Sequence, residues 1–422
     1  MSVSASTAMR LRKVLCLKDS NREFRDISLD KWELTFSIYK HIEEIKDIWN
    51  ANVPQEAFMT SSYLRTLEQT NPSHLSNLYV VLKNKENEIK GVVLLQSIVL
   101  DFSKSFNYER YTTKSSFLSK VWQRLRQIAV SWIKFRLLVV GNLYLTGQYG
   151  MHVKDISTQD QYGLVQSMLK VLKKEFCSSP YRFSGILYKD FFEQDALQNS
   201  RKLGLEAFKI DPNMILPLKS TWSSFDDYLA DMKSKYRVRL KNAKKKFKGV
   251  ERRELSMEEV EQYNGGMYNL YEKILSGSGF VLAKGDSTYF KTLKTQLGER
   301  YHIIGYFLEE KLVGFYTWIL EDDKLDSHFI GLDPSLNNRY QLYLNILLDL
   351  VKDGIDQEAK SIYYFRTALE IKSSVGAVPY EMICYFRHTS SIINSVVPLV
   401  FKYFIPQQQW DQRHPFKDPV LS

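Results

Sequence analysis

Cysteine is scarce in this sequence: 422 residues hold three, Cys16, Cys177 and Cys384. They lie far apart with no near Cys or His partner, so neither a disulfide framework nor a zinc knuckle is available, and a reducing compartment fits best. Long apolar runs are missing too. The two most apolar windows are Ile128 to Leu145, broken by Lys134, Arg136, Gly141 and Asn142, and Ile392 to Ile405, broken by Asn394, Pro398 and Lys402. Neither reaches the roughly 20 uninterrupted apolar residues of a spanning helix. The polar start, Met1 to Ala8, and the basic stretch behind it lack the apolar segment of a secretion signal. Eleven prolines and 19 glycines are too few for a collagenous or low-complexity chain, whereas 44% apolar and 14% aromatic residues supply a core. We expect a soluble, cytoplasmic protein of more than one domain.

Acidic charge is the remaining shortage, because 48 Asp and Glu face 58 Lys and Arg for a net charge of +10. The deficit is local. Residues Arg110 to Lys154 contain no acid, and neither do Lys233 to Lys248, where Lys233, Lys235, Arg237, Arg239, Lys241, Lys244, Lys245, Lys246 and Lys248 crowd together. Like charges at neighbouring helical positions repel one another, which points to an anionic partner: a membrane surface, a nucleotide phosphate or a nucleic acid.

Periodicity predicts a strand at Leu34–Tyr39, helices at His41–Asn50 and Ser61–Gln69, and strands at Leu78–Lys83 and Ile89–Val99. An amphipathic helix at Phe117–Ile133, a strand at Leu137–Leu145, a helix at Gln161–Phe176, a strand at Ser184–Tyr188, a helix at Phe191–Lys202 and strands around Phe208 and Met214–Leu218 follow. A similar order then recurs. A helix at Phe225–Phe247 and a strand at Val250–Leu255 lead to helices at Met257–Leu275 and Ser287–Gln296. A three-strand meander from Tyr301 to Ile330, a helix at Tyr340–Ile355, a strand at Ile362–Phe365, a helix at Glu370–Val375 and a strand at Met382–Arg387 complete it. Glu88-Ile-Lys-Gly91-Val matches Lys311-Leu-Val-Gly314-Phe in place, as a tandem duplication would leave it. The expected organisation is an α/β domain over 30–220 with an insertion at 101–136, a second over 221–390, and a tail over 391–422.

Three segments of the second half carry a resemblance: Tyr228-Leu-Ala-Asp-Met-Lys-Ser-Lys-Tyr-Arg237, Ile330-Gly-Leu-Asp333, and Arg366-Thr-Ala-Leu-Glu-Ile-Lys372-Ser-Ser-Val-Gly376-Ala377. With the duplicated order, the chain resembles the tandem GNAT-fold acyltransferases related to the Fem peptidoglycan-bridge enzymes, over about Leu34 to Arg387. The resemblance implies two GNAT-like (acyl-CoA N-acyltransferase) domains, each a mixed central sheet flanked by helices. It implies transfer of an acyl group, from acetyl-CoA or another acyl-CoA or from an aminoacyl-tRNA, to the amine of an amino sugar or cell-envelope precursor. A non-catalytic binding module on the same fold is the alternative from another class. GNAT domains hold the CoA pyrophosphate on a glycine-rich loop, yet Asp333-Pro-Ser-Leu-Asn-Asn-Arg339-Tyr-Gln-Leu-Tyr343 has no glycine. Asn337, Asn338, Arg339 and Tyr340, with Lys235 and Arg239 of the basic helix, are the candidate phosphate contacts. The long helical hairpin that Fem enzymes carry for tRNA has no counterpart, which makes tRNA the weaker donor.

Acyl transfer to an amine needs a base, oxyanion donors and an acid for the leaving group. Asp326 and His328 lie two apart on one strand and so share a face; a carboxylate beside an imidazole suits a general base, while an ordinary sheet histidine is the other reading. Backbone N–H groups just past His328 become oxyanion donors if the strand splays there. Arg366 ends a strand at its carboxyl end, where α/β sheets expose ligand sites. It reads either as a substrate contact or as the partner of Glu370. Lys372 is a candidate for orienting an acidic substrate group, and Tyr380 for the acid. No metal is expected. The basic amphipathic helix over 117–136 suits an anionic membrane surface, which would place the protein peripherally at the inner membrane.

Overall fold

The computed structural model describes residues 24–54, 56–101, 134–197, 200, 204–277, 282–395 and 410–418. The first half supplies β1 (Phe24–Leu29), β2 (Leu34–Tyr39), α1 (Lys46–Asn50), α2 (Ser61–Thr70), β3 (Leu75–Asn84), β4 (Ile89–Asp101), β5 (Lys134–Val140), β6 (Met151–Val153), α3 (Thr158–Glu175), β7 (Gly185–Phe192) and β8 (Glu206–Pro217). The second supplies α4 (Phe225–Asp231), α5 (Ser234–Lys246), β9 (Glu251–Glu254), α6 (Met257–Ser276), α7 (Tyr289–Leu297), β10 (His302–Leu308), β11 (Lys311–Glu321), β12 (Lys324–Leu332), α8 (Pro334–Tyr340), α9 (Leu342–Asp356), β13 (Ser361–Phe365), α10 (Leu369–Ser374) and β14 (Val378–His388). The α/β class and the flanking helices are those expected from the sequence.

The 14 strands of the described residues join one mixed sheet in the order β1-β2-β3-β4-β5-β7-β14-β8-β13-β12-β11-β10-β9, with β6 on β4. Within each half an antiparallel meander leads to one parallel pair, β5 with β7 and β12 with β13. The last strand of each half then crosses over: β8 pairs with β13, and β14 pairs with β7. The antiparallel pairing of β8 with β14 fuses the halves. One core lies between the halves, where Trp49, Phe58 and Tyr63 meet Tyr271, Tyr289 and Phe290. The helix α3 covers a separate core on the first half, and α5 and α9 cover another on the second.

Local chemistry explains the element ends. A reciprocal cap between Ser256 and Glu259 starts α6, Ser157 caps α3, and Asp333 followed by Pro334 starts α8. Three departures from the sequence expectation have tertiary causes. The single helix expected over Phe225–Phe247 breaks at Met232, whose extended backbone bridges Phe416. The helix expected over Phe191–Lys202 is not formed at its start, because β7 runs through Phe192 opposite Met382 of β14 and a short 3-10 turn at Glu193–Asp195 follows. The two strands expected near Phe208 and Met214 are one 12-residue strand, β8, held on both edges. The insertion helix expected over 117–133 lies outside the described residues. Among the described residues no helix is long and apolar enough to cross a membrane, and no group of three His, Cys, Asp or Glu side chains is placed to hold a metal ion.

Candidate active site

The sheet opens between β12 and β13. They pair in parallel only at Lys324–Ser361, Leu325–Ile362 and Asp326–Tyr363. Beyond Asp326, β12 continues along β11 to Leu332 while β13 turns to β8, leaving a wedge. A bulge coincides with the opening: Thr317 of β11 faces both His328 and Phe329, between the Trp318–Ser327 and Tyr316–Ile330 pairs. The Phe329 N–H donates to the Thr317 hydroxyl at 3.0 Å instead of to the ladder. The Asp333 N–H donates to the Val313 carbonyl of β11 at 2.9 Å. Alternation therefore turns the Ile330 and Leu332 N–H groups away from β11 and into the wedge, where β13 no longer pairs. The strand does splay just past His328, as the oxyanion reading requires.

Asp326 and His328 share a face and are both buried, but they do not bond to one another. The Asp326 Oδ2 accepts from the Tyr149 hydroxyl at 3.3 Å and lies 3.2 Å from the Lys324 ammonium. Its Oδ1 is buried without a partner, and burial pushes the carboxyl up to about 7 against the pull of Lys324. Burial likewise raises the Tyr149 phenol, so it stays protonated and donates. His328 sits among the rings of Phe58, Tyr289, Tyr301 and Phe329, with Nδ1 3.3 Å from the Tyr301 hydroxyl and Nε2 unpartnered. Burial holds it down to about 3. The expectation that the carboxylate raises the basicity of the imidazole is therefore corrected: desolvation by aromatic rings makes His328 a neutral group, and Asp326 is the side chain poised to exchange a proton near neutral pH.

Arg366 and Lys372 stand at the end of β13, where Phe365, Thr367 and Ala368 adopt positive φ angles of 57°, 71° and 49°. That strained turn persists because the buried Lys372 ammonium donates to the carbonyls of Tyr364, Phe365 and Arg366 at 2.7, 3.2 and 2.7 Å. Its charge is committed to the backbone, so it shapes the turn and does not reach out to an acidic substrate group. Burial pulls its pKa down to about 7. Arg366 does not pair with Glu370, which instead holds Arg413 of the tail. The Arg366 Nε donates to the Thr146 hydroxyl at 3.2 Å and Nη1 lies 3.6 Å from Asp190 Oδ1, both residues of the first half. Tyr380, on β14 opposite Asn213, is half-buried with its ring 6.3 Å from that of Phe192.

The first half closes the matching place in its own fold. Its loop over 141–150 is latched by the Gly147 N–H to Asp190 at 3.1 Å and by the Lys189 ammonium to the Leu145 carbonyl at 2.6 Å. The loop then delivers Thr146 and Tyr149 to the second half. Gly150 permits this, since a Cβ there would lie 2.4 Å from the Gly141 Cα.

At the far end of β12, the Asn337 Oδ1 accepts from the Tyr343 N–H at 2.9 Å and so caps α9, while Tyr340 is buried. Lys273 and Ser335 hold Asp333, whose carboxyl is lowered to about 2, chiefly by the Ser335 hydroxyl. Asn338 and Arg339 are exposed. The helix α5 packs beside α8 and α9 through Leu240 and Ala243, and the Ala243 carbonyl accepts from Asn345 at 3.1 Å. Its other face presents Lys235, Arg239, Lys241, Lys245 and Lys246, all exposed. Tyr149, Lys324, Lys189 and Asp190 were not singled out from the sequence. Lys324 was legible in principle, being two residues before Asp326 on the same strand face.

The architecture is one mixed sheet to which each half contributes a single parallel pair, flanked by helices, the α/β arrangement that the resemblance to tandem GNAT-fold proteins implied. Among solved structures the chain is similar to FemX, at 11% identity over 84% of this chain and 98% of that one, with a TM-score of 0.51. A tandem GNAT protein from the clavulanic acid biosynthesis pathway aligns at 10% identity over 85% of this chain and 99% of that one, with a TM-score of 0.47. No protein-family model matches the sequence, and no curated protein matches it either.

Proposed function

We propose that the protein is an N-acyltransferase that moves an acyl group, acetyl in the simplest case, from acyl-CoA to an amine of an amino sugar or cell-envelope precursor. The observation that carries this reading is the wedge between β12 and β13, with the Ile330 and Leu332 N–H groups turned into it and the unpartnered Asp326 Oδ1 at its root. The Ile330 N–H donates to the acyl oxygen as charge develops there. Asp326, whose other oxygen is held by Lys324 and Tyr149, takes the proton of the attacking amine as the C–N bond forms; the C–S bond then breaks and CoA leaves as the thiol with that proton. The thioester end fits these groups. The phosphate end has no glycine cradle, so Arg339 and the exposed cations of α5 have to receive it.

The same cations support a second reading. They outnumber what one nucleotide needs and form a face suited to a polyanion, which is what a Fem-type aminoacyl-tRNA donor would present. Calorimetry with acetyl-CoA tests the first reading: saturable heat supports it. A silent titration, together with retention of charged tRNA on a filter, transfers the donor to the second.

A further inference from the structure

We infer that the acceptor carries an anionic group, a carboxylate or a phosphate, and that Arg366 seats it. The word acceptor rests on the acyltransferase reading, whereas the anion rests on a charge imbalance in the fold. At the junction of β7, β13 and the 141–150 loop, one carboxylate faces two cations. Asp190 is fully buried; Lys189, also buried, binds its Oδ2, and Arg366 approaches its Oδ1 at 3.6 Å. Burial opposes ionisation of Asp190, but the two cations and the Gly147 N–H hold its carboxyl below the ordinary range. The Cys384 thiol beside it stays protonated, pushed up to about 12 by burial, and adds no charge.

With both cations charged the surplus is one positive charge; burial lowers the Lys189 ammonium against the pull of Asp190, and among the described residues no other carboxylate contacts Lys189 or Arg366. Glu370, the nearest carboxylate along the chain, is engaged by Arg413, whose Nε lies at 3.2 Å. A buried, incompletely neutralised cluster is costly unless a counter-charge arrives. The only member that can meet one is Arg366, whose side chain is 31% exposed and whose Nη2 takes no part in the contacts with Thr146 and Asp190. A guanidinium held at Nε by Thr146 and drawn at Nη1 toward Asp190, both of the other half, leaves its Nη2 donors for a carboxylate or phosphate oxygen.

Its position suits an acceptor. Tyr363 pairs with Asp326, and Arg366 follows Tyr363 by three residues, so Arg366 lies within about 10 Å of Tyr363 along the backbone and Asp326 one strand spacing across. One compact molecule can place its amine at Asp326 and its anion at Arg366, as an amino acid, a short peptide or an amino-sugar phosphate would.

The test measures the thermal midpoint in sodium phosphate, sodium acetate and sodium chloride at equal ionic strength, for the wild type, Arg366→Gln and Arg366→Lys. Phosphate or acetate should raise the wild-type midpoint above its value in chloride, and the effective anion tells phosphate from carboxylate. Arg366→Gln should abolish the rise, through an affinity loss of about 10- to 100-fold. Arg366→Lys keeps the charge against Asp190 and loses the fork, so it should retain less than half of the rise and decides the matter if the glutamine variant does not fold. Equal wild-type midpoints in all three salts, or a rise undiminished in the variants, overturn the inference. Calorimetry with acetyl-CoA on the same variants separates the two readings. Donor binding unchanged from wild type is expected, and its loss in Arg366→Lys would assign the arginine to the donor and overturn the inference, whereas silence in the wild type counts against the acyl-CoA reading alone.

Discussion

Asp326→Asn should slow the enzyme and stabilise the fold. Burial raises the Asp326 carboxyl from an ordinary 3.8 to about 7 in the folded chain. Between those values the folded state binds more protons than the unfolded one, so stability falls as pH rises through the window. The full penalty, reached above pH 7, corresponds to about 4 kcal/mol. Asparagine cannot ionise, yet its amide oxygen can still accept from Tyr149 and Lys324. Lys324 loses its carboxylate, which returns part of the gain, so we expect the variant to be more stable by about 1–3 kcal/mol at pH 8 and equal to the wild type at pH 4. Denaturant midpoints measured from pH 4 to 8 read this without any substrate. In turnover, losing the base should lower kcat by about 10²- to 10⁴-fold and remove the rise in rate near pH 7. A stability difference independent of pH would refute the electrostatic reasoning, and wild-type turnover with an unchanged pH profile would refute the catalytic assignment.

Other perturbations test other parts of the fold. Reversing Lys241 and Lys245 to Glu on the exposed face of α5 should leave the folded signal intact and weaken the anionic donor by at least about 10-fold, with a flatter dependence on salt, by calorimetry at two chloride concentrations. Gly150→Ala places a Cβ against the Gly141 backbone, so it should cost about 1–3 kcal/mol in denaturant unfolding and disturb the Tyr149–Asp326 contact. Phe416→Ala empties the site between Trp222 and Tyr228 that the tail fills, and should cost about 3–5 kcal/mol. Loss below 1 kcal/mol would mean that the tail is not part of the second-half core.

Much of the architecture is legible in single residues. Alternation in Leu312–Leu320 and Leu325–Ile330 marks a meander, and the spacing of two marks Asp326 and His328 as neighbours on one face. What the spacing cannot show is their surroundings. The Asp326 partner Tyr149 is 177 residues away, and Thr146, which orients Arg366, is 220 away. The Phe225–Phe247 pattern is continuous at helical spacing, and only a contact with Phe416, far along the chain, breaks it.

Hydrophobic period, charge runs and turn residues act over a few positions, so the sequence by itself determines the α/β class, the repeated order of elements, the strand end that carries Arg366 and the basic face of α5. Tertiary structure alone decides three further things: that each half lends its last strand to the other, that the 141–150 loop fills its own half and crosses to the second, and that desolvation raises the Asp326 carboxyl and keeps His328 neutral. Each depends on burial and on pairing between distant segments, which are properties of the packed molecule and have no local signature along the chain.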